Sequence, residues 1–375
     1  MHTASPIRLP FRPTALLLSA CVAVFLMATP ARGAEFRRWA ESARGLAMGG
    51  AMTAVARGSD AMLYNPAGLS LSEYWKVEAA AWEEQSEGDP AGFFDRLDKE
   101  AGNDPAVVRD FLARHDDEPL SLRNQLFATF HTSGGFGVGA LESHSLQTEP
   151  VAPATLGLRY ERLRAGMATW SSASELRLFM MGLTLRGMSR RVGVRYIDET
   201  DVANPAFDAR EATGTGNDFA YDLGVMMRLP VPFLRPTLGV AYLNGNDPDF
   251  NLQSVEPLHS ELNVGLALQP DVFGPSVRLL LVGERRDLNK LAFPDEPSFD
   301  KRSHLGAEVS FFPLEDGLWG LQLRVGESQV HGTWGFGINL SHYLSVDYAH
   351  YTEELGTDAD PEPQQRDLIQ VRLGF

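Results

Sequence analysis

Residues 332–340 read GTWGFGINL, and their side chains alternate: Trp334, Phe336, Ile338 and Leu340 against Gly335, Gly337 and Asn339. A period of two marks a strand whose two faces meet different surroundings. The pattern repeats on either side of this stretch. Leu321, Leu323 and Val325 alternate with Gln322, Arg324 and Gly326; Leu344, Val346 and Tyr348 with Ser345, Asp347 and Ala349; Ile369, Val371, Leu373 and Phe375 with Gln370, Arg372 and Gly374. Residues 305–311, 262–268, 219–229, 192–196 and 156–160 read alike, with Glu308, Asn263, Asp222, Arg228, Arg195 and Arg159 in the intervening set. Runs of about 8–12 residues suit a tilted transmembrane strand. A soluble sandwich core rarely needs a polar second face in so many consecutive strands, whereas a membrane barrel does. The expected fold is all-β, a transmembrane antiparallel barrel of about 14 strands, or about 16, the count being open over 154–188.

Connections support this reading. Short ones (132–135, 231–236, 271–276, 313–317) alternate with longer ones rich in Asp, Glu, Pro and Asn (201–216, 246–258, 288–300, 354–365). Short periplasmic turns and long outer loops are the outer-membrane arrangement. Residues 84–122 read as a long first outer loop with short helices, one starting at Asp104-Pro105. After the first thirty-odd residues no apolar run is long enough for a membrane helix.

The beginning of the chain reads as an export signal. Arg8 and Arg12 precede the apolar stretch 15–28, and Ala31-Arg32-Gly33 offers a cleavage site after Gly33. A lipoprotein reading at Leu18-Ser19-Ala20-Cys21 is the less favoured alternative, because apolar residues continue past Cys21. Cys21 is the single cysteine, so a mature chain from residue 34 has neither disulfide nor thiol chemistry. A net charge of −16 argues against nucleic acid as a partner.

The segment SARGLAMGGAMTAVARGSDAMLYNPAGLS (42–70) resembles the N-terminal segment of the FadL-type outer-membrane transporter superfamily. That grouping includes long-chain fatty-acid and hydrocarbon channels and the related PorV-type barrels. The residues that carry the resemblance are Arg44, Gly49-Gly50, Asp60-Ala61 and Asn65-Pro66-Ala67-Gly68. The runs between 304 and 375 are similar to the end of such barrels, nearer the PorV-type branch. The resemblance implies a barrel over 73–375 in the outer membrane of a Gram-negative-type bacterium. It further implies that residues 34–72 form a hatch inside the lumen, with the Asn-Pro-Ala turn at its tip. The residues suit that role, since Pro66 fixes φ and Asn65 can bond its own backbone. Arg159, Arg195, Asp222, Arg228, Glu308, Arg324, Asp347 and Arg372 are the lumenal charges expected to hold the hatch. The alternative is that Asn65–Gly68 is only the turn leading into the first strand.

Such a barrel is expected to pass hydrophobic or amphipathic small molecules, such as long-chain fatty acids, without cofactor or metal. Candidate ligand contacts are Leu46, Met48, Met52, Met62 and Leu63 in the hatch and Phe93, Phe94, Phe111 and Leu112 in the first loop. The alternative function is a PorV-type interaction barrel whose acidic outer loops dock an exported protein. Catalysis is not expected: His144 beside Ser145, and His342 near Asp347, have no motif spacing. Phe375, an aromatic end to an alternating last strand, resembles the signal read by the barrel-assembly machinery. Outer-membrane lipids and that machinery complete the expected partners.

Overall fold

Alternation along the chain becomes the two surfaces of one closed sheet. In the computed structural model the described residues are 39–72, 75–87, 105–114, 121–152, 155–197, 214–251, 257–289, 302–311, 320–354 and 363–374, together with 96 and 99 and excepting 272, 275 and 342. The strands are β1 (Lys76–Glu87), β2 (Ser121–His131), β3 (Phe136–Ala152), β4 (Thr155–Ala173), β5 (Phe179–Ile197), β6 (Gly214–Arg228) and β7 (Thr237–Gly245). They continue as β8 (Glu261–Leu268), β9 (Val277–Arg285), β10 (Ser303–Phe311), β11 (Gly320–Ser328), β12 (His331–Asn339), β13 (Leu344–Glu354) and β14 (Pro363–Gly374). Each pairs antiparallel with the next, and β1 closes on β14. The barrel therefore has 14 strands. Closure leaves no edge with unpaired backbone groups, the condition for a sheet to cross lipid.

Cross-strand partners show the two faces. Val325 pairs with Trp334, and Leu323 with Phe336; Val325, Trp334 and Leu323 are all exposed on the outside. Arg324, Thr333, Asp347 and Gln370, one position along, are buried inside. A ring of exposed large apolar side chains around a closed sheet is a surface for lipid. The undecided stretch 154–188 is β4 and most of β5, joined through Ser174, whose hydroxyl accepts from the Leu178 and Phe179 amides.

Three expectations change. First, β1 runs to Glu87 and β2 begins at Ser121, so pairing such as Ser86 with Leu122 takes in both ends of the expected 84–122 loop. Its helix, α3, spans Pro105–Arg114. Second, the face expected of Val192 is reversed. Val192 is buried on the inner face with Met188 and Arg186, while Arg191 is exposed. Third, the inner face is not polar throughout, because β2 to β6 turn Phe127, Leu141, Leu163, Met167, Met180, Met188 and Met226 inward. Phe375, the signal segment and most of the long outer loops lie outside the described residues.

Ahead of β1, residues 39–72 form α1 (Ala43–Ala47), a 3-10 turn (Gly58–Asp60), α2 (Ala61–Tyr64) and a second 3-10 turn (Pro66–Leu71). These pieces are too short to be stable alone and depend on their surroundings. Ser42 caps α1 by accepting from the Gly45 amide, and Asn65 caps the second turn by accepting from the Ala67 amide.

Arginine at an outward position in the middle of the apolar band must be pulled from lipid. V325R should lower barrel stability by about 2–4 kcal/mol, read by denaturant unfolding in lipid vesicles. A change within about 0.5 kcal/mol, the usual range for a water-exposed surface substitution, would mean that Val325 does not face the bilayer.

Candidate functional site: the filled lumen

Residues 39–72 touch the inner face of strands all round the barrel, which places them inside it. The decisive local feature is where the chain's backbone can approach the wall. At Gly182 and Gly224, neighbours across β5 and β6, an added Cβ would lie 2.4 Å from the Pro66 carbonyl carbon and 2.0 Å from Asn65 Oδ1. The Asn65–Ala67 turn therefore lies flat on a pair of glycines. Asn65 is fully buried, and its carboxamide Nδ2 donates to the Thr53 carbonyl at 2.7 Å and, over longer distances, to the Val225 and Val240 carbonyls of β6 and β7. Ser171 Oγ donates to the Ala67 carbonyl at 2.9 Å and accepts from the Ser70 amide at 3.2 Å. The polar groups of this turn thus find partners on the wall and within the segment.

Two further glycine pairs repeat the device. Thr53 and Ala54 lie on Gly239 and Gly265, which are partners across β7 and β8. Met48 and Gly49 lie on Gly306 and Gly326, partners across β10 and β11. Gly49 has φ +61, and a Cβ there would meet the Glu327 and Leu305 carbonyl oxygens within 2.5 Å. Only glycine fits.

Charge anchors the side of the segment that faces β9 to β14. Arg44 forks onto Glu308, through Nε to Oε2 at 2.9 Å and Nη2 to Oε1 at 3.2 Å. Arg324 bridges Glu308 at 2.8 Å and Asp347 at 2.5 Å. Arg372 reaches Asp60 at 3.1 Å. Glu284 accepts from the Thr53 amide at 2.7 Å, Arg286 donates to the Gly50 carbonyl, and His304 Nδ1 lies 2.7 Å from the Gly49 carbonyl. Across the lumen Asp222 pairs with fully buried Arg186 at 2.6 Å, and the Arg186 guanidinium lies 4.3 Å over the Trp39 ring.

Among the sequence candidates, Glu308, Arg324 and Asp347 form one network with Arg44, while Arg372 and Asp222 pair separately. Arg159 and Arg228 are half-buried and outside that network; the Arg195 side chain lies outside the described residues. Met48, Met52, Met62 and Leu63 are buried in one cluster with the apolar wall, whereas Leu46 packs apart with Tyr351 and Leu368. Phe111 is buried where α3 nears β4, away from that cluster. Phe93, Phe94 and the Leu112 side chain lie outside the described residues. Sequence reading missed Arg186, Glu284, Arg286 and His304, and also the wall methionines. His304 and Met226 were legible by parity, since they share a face with Glu308 and with Asp222.

With this geometry, solved structures of similar fold can be compared. The monoaromatic hydrocarbon channel CymD superposes with a TM-score of 0.53 at 11% identity, over 91% of this chain and 97% of that one. The Pseudomonas putida toluene transporter TodX gives 0.51 at 12%, over 92% and 99%. The Ralstonia pickettii toluene transporter TbuX gives 0.50 at 11%, over 89% and 98%. The chain has the fold of the FadL-type hydrocarbon channels. No family model and no curated protein sequence matches it. The FadL-type fold thus spans nearly the whole described chain, at an identity that speaks for architecture alone.

A side chain at the glycine seat should be costly. G224V should lower stability by about 1–3 kcal/mol, the usual cost of overpacking, in denaturant unfolding of the detergent-solubilised barrel. G187V, on the outer wall where an added Cβ meets nothing within 4 Å, should not lower it by more than about 0.5 kcal/mol. Equal effects would mean that the turn is not seated on Gly224.

Proposed function

We propose that the protein is an outer-membrane channel for the passive passage of small hydrophobic molecules, with residues 34–72 as its hatch. The observation that carries this reading is the contact between hatch and wall. Met52 and Met62 of the segment share one buried cluster with Met167, Met180, Met188 and Met226 of β4 to β6; Met48 belongs to it too, from its seat against Gly306 of β10. Methionine is unbranched and polarisable, so a seam built from it can repack around an apolar guest of variable shape by changing rotamers. Cores that need a single fixed packing use Leu, Ile and Val instead.

The hatch then has two sides with separate tasks. The Arg44–Glu308–Arg324–Asp347 network, with Asp60–Arg372, holds one side to β10 through β14. An apolar molecule has nothing to offer buried charges, so it does not compete there. On the other side it competes with side-chain contacts of the methionine seam, beside the Asn65–Ala67 turn that stays bonded to β4, β6 and β7. Displacing those costs dispersion contacts that the guest itself restores. The same apolar chemistry would admit monoaromatic hydrocarbons, the cargo named for CymD and TodX, and the acyl chains of fatty acids. No feature of the described residues favours the protein-docking alternative, whose acidic loops fall largely outside them.

Uptake of radiolabelled toluene and of radiolabelled oleate by cells expressing the barrel tests this. M180Q/M226Q buries two amides without partners, about 1–3 kcal/mol each, and should lower uptake of the transported compound about tenfold or more while heat-modifiable barrel persists. Uptake of both compounds at the wild-type rate in that variant, or at the background rate in cells with wild-type barrel, would overturn the proposal.

A further inference from the structure

The outer wall of β3 to β5 departs from the apolar band around it. Reading away from the short turns, the outward positions are Phe136 with Trp170, Val138 with Ala168, then Ala140 with Gly166 and Gly187. An added Cβ at Gly166 or Gly187 meets nothing within 4 Å. The two glycines thus floor a shallow slot in a surface otherwise covered by large side chains.

Directly above the slot the wall becomes cationic. Arg164 pairs across strands with Ser189, and Arg162 with Arg191. Like charges directly opposite each other destabilise a sheet unless something lies between them. Glu142 offsets one charge. Its Oε1 accepts from Arg162 Nε at 2.8 Å and from Arg164 Nη2 at 3.2 Å, and lies 3.0 Å from His144 Nε2. Arg191 is exposed and has no hydrogen bond or ion pair among the described residues. Three guanidiniums against one carboxylate leave two positive charges (3 − 1) on a chain whose net charge is −16. Arg191 stands 12 residues (191 − 179) along β5 from Phe179 at the short-turn end. That is about 40 Å of strand, or about 30 Å of height at a tilt of about 40°, just past an apolar band of about 25 Å. The patch therefore sits at headgroup level of the leaflet away from the short turns.

We propose that this patch docks a phosphorylated outer-leaflet lipid, its phosphate among Arg162, Arg164 and Arg191 and an acyl chain along the slot over Gly187 and Gly166. Phosphate supplies Arg191 with an anion and adds a second one beside Glu142 for Arg162 and Arg164, and guanidinium forks suit its geometry. An acidic protein would use the arginines and leave the slot unexplained. The site is independent of the lumen and of what passes through it.

Native mass spectrometry of the full barrel in dodecyl maltoside, titrated with diphosphoryl lipid A and with the same lipid stripped of phosphate, tests the proposal. The phosphorylated form should bind about tenfold or more tighter, as expected for charge-assisted contacts. R162Q/R164Q/R191Q should abolish the preference, and G187W should weaken both lipids alike. E142Q, which releases two arginines, should tighten the phosphorylated lipid, a gain that misfolding does not produce. Equal binding of the two lipids, a preference surviving the triple substitution, or no tightening in E142Q would each overturn it.

Discussion

A backbone can lie flat on a β-sheet only where the sheet has no side chains. That constraint governs the interior of this barrel. Gly182 with Gly224, Gly239 with Gly265, and Gly306 with Gly326 are cross-strand pairs, and each receives a bend of the N-terminal segment. Glycine inside a strand costs about 0.5–1 kcal/mol, so six of them weaken the sheet unless something uses the space. Asn65, Thr53 and Gly49 use it: the Asn65 carboxamide, the Thr53 amide and the Gly49 carbonyl find wall partners that water would otherwise supply.

Around these seats the wall divides by chemistry. On one side Glu308 of β10 and Arg372 of β14 grip Arg44 and Asp60, with Arg324 of β11 and Asp347 of β13 behind Glu308; on the other, apolar strands share a buried cluster with Met52 and Met62. Buried ion pairs contribute little net stability but punish displacement severely, because removing one partner strands the other. Apolar contacts are non-directional and tolerate sliding. A segment held in this way is fixed in register by its ion pairs and by the seated Asn65–Ala67 turn, while its apolar side chains can repack.

Much of the fold was legible because period-two alternation reports a physical fact, that the two faces of each strand meet different media. It worked best for β8 and β10 to β14, where the inner face is Gly, Asn and charge. It failed at β5, where near Val192 the inner face carries Met188 and Val192 and the outer face Ser189 and Arg191, so that the rule of apolar outside and polar inside is inverted. Arg186 was hidden within the stretch whose strand count was open. The glycine seats were visible as glycines but not as pairs, since register across strands is not written in either strand alone. Asn65 and Pro66 stood out by turn chemistry. What no local pattern reveals is the Asn65 carboxamide bonded at once to Thr53 and to two different strands.

The seating of the Asn-Pro-Ala turn is most directly tested by a cysteine pair at Ser70 and Ser171, whose amide nitrogen and hydroxyl lie 3.2 Å apart. The sequence has one cysteine, Cys21, ahead of the described residues, so with C21S in the same chain the pair reports alone. In isolated outer membranes, mild oxidation of S70C/S171C should protect both thiols from alkylation and shift the unfolded chain to faster migration on a non-reducing gel. Thiols that stay fully alkylatable in an assembled, heat-modifiable barrel would contradict a segment seated on the inner wall.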